Sequence, residues 1–129
     1  MPIKSYRDLI VWQKSLKLLF DIYRLTVAFP RDERFGAVSQ LRRAAMSILA
    51  NIAEGHGRAT RGEYLNQLSV AQGSINEVET LLIVSRELGF AAAEQIAPIE
   101  ERVSEVSRML GALRRALSPR KRPSPAPSP

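Results

Sequence analysis

The chain has 129 residues, a net charge of +6 and a pI near 10.3. It contains no Cys and a single His, which excludes disulfide frameworks, thiol nucleophiles and His-based metal clusters. With 45% apolar and 25% charged residues, the composition is that of one folded domain. No apolar run reaches the length of about 18 residues that a membrane span needs. The N-terminal residues also lack a secretory signal, so we expect a cytoplasmic protein.

The first predicted helix runs from Ser5 to Ala28 and carries two apolar stripes. Ser5 and Asp8 resemble a capping box, and Phe29-Pro30 ends the helix. One stripe has the helical spacing of three and four and is assigned to the core: Leu9, Trp12, Leu16, Leu19, Phe20, Tyr23 and Val27. The opposite stripe consists of Val11, Leu18, Ile22, Leu25 and Phe29.

The opposite stripe of the first helix predicts contact with a second subunit. A monomeric bundle needs one apolar side per helix, so a further stripe favours burial against a neighbouring copy of the chain. The alternative is that a loop or the C-terminal tail covers these residues, or that they are scattered over the surface.

Three more helices follow, and then a tail. The second runs from Phe35 to Glu54 and stops at Gly55 and Gly57. The third begins at the capping box of Thr60 and Glu63 and ends at Gly89. Gly73-Ser74 in its middle predicts a close helix–helix contact. The fourth ends at Leu117, and Pro98 leaves its start open.

Residues 1–117 are therefore predicted to form an all-α, antiparallel, up-down-up-down four-helix bundle. Residues 118–129 contain five Pro and no large apolar residue, which predicts a disordered, basic tail. That tail holds Arg120, Lys121 and Arg122 without an acid. Residues 1–117 carry 16 basic and 13 acidic side chains, so half of the excess charge lies on the tail.

A polar seam lies along the second helix, roughly opposite its apolar stripe. It consists of Gln40, Arg43, Ser47, Asn51, Glu54 and Arg58, which fall within an arc of about 80°. The mixture of charges and amides favours a hydrogen-bonded surface for assembly or ligand binding over a plain phosphate track. A solvated helix face is the alternative.

The remaining signal is an excess of Arg, the side chain suited to bidentate phosphate contacts. The candidate nucleic-acid-binding residues are Arg58, Arg61, Arg108, Arg114, Arg115, Arg120, Lys121 and Arg122. Base-reading motifs are absent, so the expected contacts are to backbone phosphates of RNA or DNA. His56 lies in a turn without a nucleophile or a metal-ligand pattern. We therefore expect no catalytic residue, cofactor or metal.

Several segments together resemble a known family. They are Leu9 and Trp12, Phe29-Pro30, the stretch from Gln40 to Ala44, Ser47-Ile48, the stretch from Asn51 to Gly55, Arg58, Ala71, Gly73-Ser74, Glu77 and Leu88-Gly89. These residues resemble the four-helix bundle proteins of the 23S ribosomal RNA intervening-sequence family over residues 5–117. Ala37 and Leu49 depart from the residues usual in that family.

The resemblance implies a ring-like homo-oligomer, a pentamer, and it does not imply an enzyme. The chain is also similar, in fold and assembly, to the accessory variability determinant bundles of diversity-generating retroelements, which implies nucleic acid and a reverse transcriptase as partners. The sequence thus predicts a non-enzymatic homo-oligomer that binds RNA or DNA non-specifically as an accessory or scaffold protein. A protein–protein adaptor, such as a reverse-transcriptase accessory subunit, is the alternative.

Overall fold

A computed structural model describes residues 3–119 and shows four α-helices packed side by side. They are α1 (Ile10–Thr26), α2 (Ser39–His56), α3 (Arg61–Glu87) and α4 (Ala93–Leu117). Each helix packs against two others, in the cyclic order α1, α2, α3, α4. The described residues contain no strand, and the predicted all-α antiparallel bundle is confirmed. Residues 120–129 of the predicted tail, which include Arg120, Lys121 and Arg122, lie outside the described residues.

The helix ends follow the capping signals in the sequence, with one shift at the N-terminus. The Ser5 hydroxyl accepts from Arg7 N–H, and the Asp8 carboxylate accepts from Ser5 N–H. This capping box closes a short 3-10 turn, Tyr6–Asp8, and the extended Leu9 separates that turn from α1. Thr60 caps α3 by accepting from Glu63 N–H at 3.1 Å, as predicted.

The C-terminus of α3 and the start of α4 depend on two residues that usually break helices. Gly89 has φ +74°, a left-handed conformation that glycine adopts without cost. It lets Phe90 N–H donate to Ser85 O at 2.8 Å, which closes α3 with the bond pattern of a Schellman motif. Pro98 lies inside α4, five residues after its start at Ala93, so the helix begins well before the proline.

The connection between α1 and α2 is helical but irregular, which the sequence did not predict. A 3-10 turn, Arg31–Glu33, leads into a π-helical turn, Arg34–Val38, and α2 itself begins only at Ser39. The Glu33 carboxylate accepts from Ala37 N–H at 3.2 Å. A Cβ on Gly36 would lie 2.7 Å from that carboxylate oxygen, so glycine leaves room for the cap. The turn places Phe35 in solvent.

The core of α1 lies on the face opposite to the one predicted. The five residues assigned to a subunit interface are buried inside the single chain: Val11, Leu18, Ile22, Leu25 and Phe29. Of the predicted core residues, Phe20, Tyr23 and Val27 are exposed, Trp12 and Leu16 are half-buried, and only Leu9 and Leu19 are buried. The predicted subunit interface is therefore wrong. Periodicity locates two apolar stripes, but the partners α2 and α4 decide which of them faces inward.

Helices α2 and α3 are in close contact at Gly55. A Cβ at this position would lie 2.9 Å from Cβ of Gln67 and 2.9 Å from the ring of Tyr64. Gly55 is thus required for the α2–α3 contact, and α2 continues past it to His56. The ring of His56 packs edge-on against Tyr64, with centroids 6.0 Å apart, and burial raises the pKa of the Tyr64 hydroxyl.

Gly73 shows the opposite situation: of the predicted Gly73-Ser74 contact with another helix, only Ser74 takes part within the chain. Gly73 lies in the middle of α3, is exposed, and has nothing within 4 Å of the position that a Cβ would take. No contact within the chain therefore requires a glycine. Its neighbour Ser74 is the buried member of the pair.

Candidate nucleic-acid interface and candidate subunit surfaces

One end of the bundle gathers the Arg residues predicted to bind nucleic acid. Because the helices are antiparallel, the α2–α3 turn, with Arg58 and Arg61, lies at the same end as the C-terminus of α4. Arg114 there donates to the Ser69 hydroxyl of α3 at 3.3 Å. Arg58, Arg61, Arg108 and Arg115 are exposed, and Arg114 is half-buried. We call Arg58, Arg61, Arg114 and Arg115 the basic end. Arg108 lies nearer the middle of α4, next to Ser107, which accepts from Gln72 of α3 at 3.2 Å.

The charges toward the other end of the bundle are different. There α3 and α4 carry mainly acids: Glu79, Glu87, Glu94, Glu100 and Glu101. The two Arg residues of this region are paired, since Arg86 contacts Glu100 and Arg102 contacts Asp21, both at 2.7 Å. Among the ion pairs found within residues 3–119, none uses an Arg of the basic end. Within α3 and α4, the Arg residues outside these ion pairs therefore lie toward the C-terminal part of α4 and the start of α3.

The polar seam of α2 divides into two parts in the structure. In its middle, Asn51 Nδ2 donates to the Ser47 hydroxyl at 3.0 Å and to Ser47 O at 2.8 Å, and the Ser74 hydroxyl of α3 donates to Ser47 Oγ at 2.8 Å. Gln40 and Arg43 line a hollow of about 190 Å³ beside these residues, which Ser74 and Glu77 close on the α3 side. Glu54 and Arg58 lie further along, exposed, at the basic end.

We expect Ser47→Ala to lower the free energy of unfolding by about 1–2 kcal/mol. The substitution removes the acceptor of the Ser74 hydroxyl, which is only 8% exposed and so loses a partner where water cannot readily replace it. Chemical denaturation measures the change. Ser104→Ala, at an exposed position of α4, is the control and should stay within about 0.5 kcal/mol of the wild type. Equal stability of the two variants would show that the Ser47–Ser74 bond contributes nothing.

A second surface, which the sequence did not predict, is a groove between α1 and α2. It has a volume of about 660 Å³ and is lined by Tyr23, Arg34, Phe35, Val38, Ser39, Arg42, Arg43, Met46 and Ser47. Phe35 is 86% exposed, and Tyr23 and Met46 are also exposed. The lining contains three Arg and no carboxylate. We call this surface the α1–α2 groove.

Arg42 holds one wall of the groove in place. Its Nε donates to the Thr26 hydroxyl at 3.0 Å, and its guanidinium carbon lies 4.4 Å from the centre of the Tyr23 ring. The helical wheel separates Arg42 from Arg43, yet both line the groove because it spans the width between two helices. The sequence contained one signal for this groove, the aromatic residue Phe35 between Arg34 and Gly36. A Phe in a charged connection belongs to no apolar helix stripe, which indicates that it is exposed.

The model of the 23S rRNA-intervening sequence protein family matches residues 7–112, which include α1, α2, α3 and most of α4. The chain belongs to this family. The family resemblance drawn from the Gln40–Ala44 and Asn51–Gly55 stretches is thereby confirmed.

A solved structure supports the family fold. The chain is similar to a Bacteroides thetaiotaomicron protein of unknown function from the S23 ribosomal protein family. The two are 26% identical, with a TM-score of 0.76 over 82% of this chain and 96% of the other. No curated protein matches the chain in sequence. Within residues 3–119, no helix is both long and apolar enough to cross a membrane.

Proposed function

We propose that this family member is a non-enzymatic, homo-oligomeric scaffold that binds RNA or DNA through backbone phosphates at the basic end. The observation that carries the proposal is the convergence of Arg58, Arg61, Arg114 and Arg115 at one end of the bundle, with Arg108 further along α4, all outside the ion pairs found in the described residues. Arg suits phosphate contacts because its planar guanidinium donates two parallel hydrogen bonds.

Assembly strengthens this proposal through the field of the whole particle. Residues 1–117 carry a net charge of only +3. Several copies with their basic ends on one side would add these modest charges into a field that attracts a polyanion. Arg120, Lys121 and Arg122 add three further positive charges per copy to the sum for the whole chain.

The test is the double variant Arg58→Glu/Arg115→Glu, measured by fluorescence anisotropy on a labelled RNA and on duplex DNA over a range of salt concentrations. We expect affinity at low salt to fall by about tenfold or more, and the slope of log affinity against log salt for duplex DNA to fall by about two. A chain that ends at Leu117 lacks residues 118–129. The difference between its affinity and that of the full chain measures the contribution of those residues.

A matched control separates a local site from net charge. Arg24→Glu/Arg31→Glu changes the charge of the chain by the same amount, at exposed positions near the opposite end. It should retain most of the affinity. Equal loss in both variants would mean that binding depends on overall charge alone, and no binding by the wild type at low salt would overturn the nucleic-acid proposal.

The adaptor function is the second candidate, and the α1–α2 groove is the observation that favours it. Exposed aromatic and Met side chains are typical of protein-binding surfaces. A reverse transcriptase is one partner of this kind. An adaptor would bind neither RNA nor DNA in the salt titration, and variants of the basic end would then behave as the wild type.

A further inference from the structure

Phe35 is an aromatic side chain that the fold holds in water. It is 86% exposed at the π-helical turn before α2, and the Arg34 guanidinium carbon lies 5.9 Å from the centre of its ring. The turn itself is fixed, since the Glu33 carboxylate accepts from Ala37 N–H at 3.2 Å. Phe35 therefore offers a flat, exposed ring on which a planar ligand can stack.

A second ring in the α1–α2 groove is positioned by an Arg. The guanidinium carbon of Arg42 lies 4.4 Å from the centre of the Tyr23 ring, and Arg42 Nε donates to the Thr26 hydroxyl at 3.0 Å. These two contacts orient the Tyr23 ring in the wall of the groove. The groove thus presents two aromatic side chains, Tyr23 and Phe35, from two different elements of the chain.

The charge of the α1–α2 groove has one sign. Arg34 and Arg43 are exposed, and neither takes part in the ion pairs found in the part of the chain that the structure describes. Arg43 donates to the Ser39 hydroxyl at 3.0 Å, a neutral partner that leaves its charge uncompensated. Glu77 lines the neighbouring hollow, which Arg43 also borders, and not the groove itself. The groove is therefore complementary to an anion.

From the two rings and the charge we infer that the α1–α2 groove binds unpaired nucleotides of a single strand of RNA or DNA. A base stacks on the Phe35 ring, and the phosphate beside it contacts Arg34 and Arg43. Sites for single strands combine exposed aromatic side chains with a positively charged groove in this way. The groove volume of about 660 Å³ lies in the range of sites that hold small organic ligands, a class that includes a nucleotide.

The α1–α2 groove distinguishes single strands from duplexes, whereas phosphate contacts at the basic end do not. Each base of a duplex is stacked between its neighbours, so an unpaired base alone has a face free for the Phe35 ring. The groove and the basic end lie near opposite ends of α2, about 20 Å apart at 1.5 Å per residue. A strand of several nucleotides is long enough to contact both. The inference adds this second site to the proposed function and rests on that function for the class of ligand.

The test compares Phe35→Ala with the wild type, both as the full chain. Fluorescence anisotropy measures the affinity for labelled oligouridylate and oligothymidylate of about 16 nucleotides and for a duplex DNA of the same length. We expect Phe35→Ala to bind both single strands about tenfold more weakly, because one stacked base loses its ring. Its affinity for duplex DNA should equal that of the wild type. Phe35 is exposed, so the fold should be retained, and circular dichroism verifies it.

Three further variants separate stacking from a general loss of apolar surface and from charge. Phe35→Trp retains an aromatic ring and should keep the wild-type affinity for single strands. Leu88→Ala removes an apolar side chain that is 64% exposed at the end of α3, outside the groove, and should also bind as the wild type. Arg34→Gln should lower the slope of log affinity against log salt for single strands by about 0.7, the effect of losing one phosphate contact.

Photocrosslinking locates the bound base directly. A single strand that carries iodouracil should crosslink to the ring of Phe35, and mass spectrometry should find the adduct on the tryptic peptide of residues 35–42. The variant Arg58→Glu/Arg115→Glu should still form this crosslink at low salt, since its groove is intact.

The outcomes distinguish failure of the groove from failure of the basic end. Wild-type affinity of Phe35→Ala for single strands, or a crosslink confined to other peptides, would overturn the inference and favour a protein as the occupant of the groove. An equal loss in Leu88→Ala would overturn stacking at Phe35 as the cause. A wild type that binds single strands but not duplex DNA would overturn phosphate binding by the basic end and support the groove. Binding of neither would overturn both.

Discussion

Leu18→Glu is expected to unfold the bundle instead of separating subunits. Leu18 is 0% exposed and lies in the core beside Ile22 and Ile48. A carboxylate at this position would be buried without a partner, which costs about 4 kcal/mol or more. Domains of this size are stable by about 5–15 kcal/mol, so the variant should melt at a far lower temperature. Thermal denaturation followed by circular dichroism measures the loss.

Phe20→Glu is the matched control for Leu18→Glu. It lies on the same helix, two residues away, but on the face that the structure leaves 47% exposed. Its melting temperature should remain close to that of the wild type, because the carboxylate stays in water. If Leu18→Glu kept its helicity while Phe20→Glu unfolded, the assignment of the faces of α1 in the structure would be wrong.

Gly55→Val is expected to destabilise the bundle by about 3 kcal/mol, the second large effect. Its Cβ would meet Gln67 Cβ and the Tyr64 ring at 2.9 Å, well inside van der Waals contact. Helices α2 and α3 would have to move apart, and overpacking of this kind typically costs about 1–3 kcal/mol. The γ-methyl groups of valine add further overlap. Chemical denaturation measures the free energy of unfolding.

Gly73→Ala should change stability in the opposite direction. No atom lies within 4 Å of the new methyl group, and Ala is the better helix former by up to about 1 kcal/mol. Dilute protein is used, so that contacts between copies do not contribute. A stabilising Gly55→Val or a destabilising Gly73→Ala would contradict the environments that the structure gives to these two glycines.

Part of the fold can be predicted from the sequence alone. Ser5, Thr60 and Gly89 act as helix caps through bonds to neighbours close in the chain, so their roles can be deduced from sequence alone. The number of helices and their antiparallel order follow from the periodicity and the short connections. The π-helical turn after Pro30 could not be deduced, because it depends on where Glu33 and Gly36 meet in space.

The candidate site was predicted in part. Sequence identified the Arg residues of the basic end, and the antiparallel order places them together. The α1–α2 groove was missed because Tyr23 and Phe20 appeared to belong to a core stripe. The structure places that stripe on the outer face of α1. Tyr23 therefore lines the groove together with Phe35 of the π-helical turn and Met46 of α2.

Composition and charge by themselves excluded disulfides among the given residues and placed half of the excess charge in residues 118–129. Those properties are sums over the chain and need no coordinates. Only the tertiary structure decided which face of α1 is buried, since both faces have the same period and similar apolar content, and contacts with α2 and α4 select one. It also decided that Gly55 is packed while Gly73 is open, because the surroundings of a missing side chain depend on residues distant in sequence.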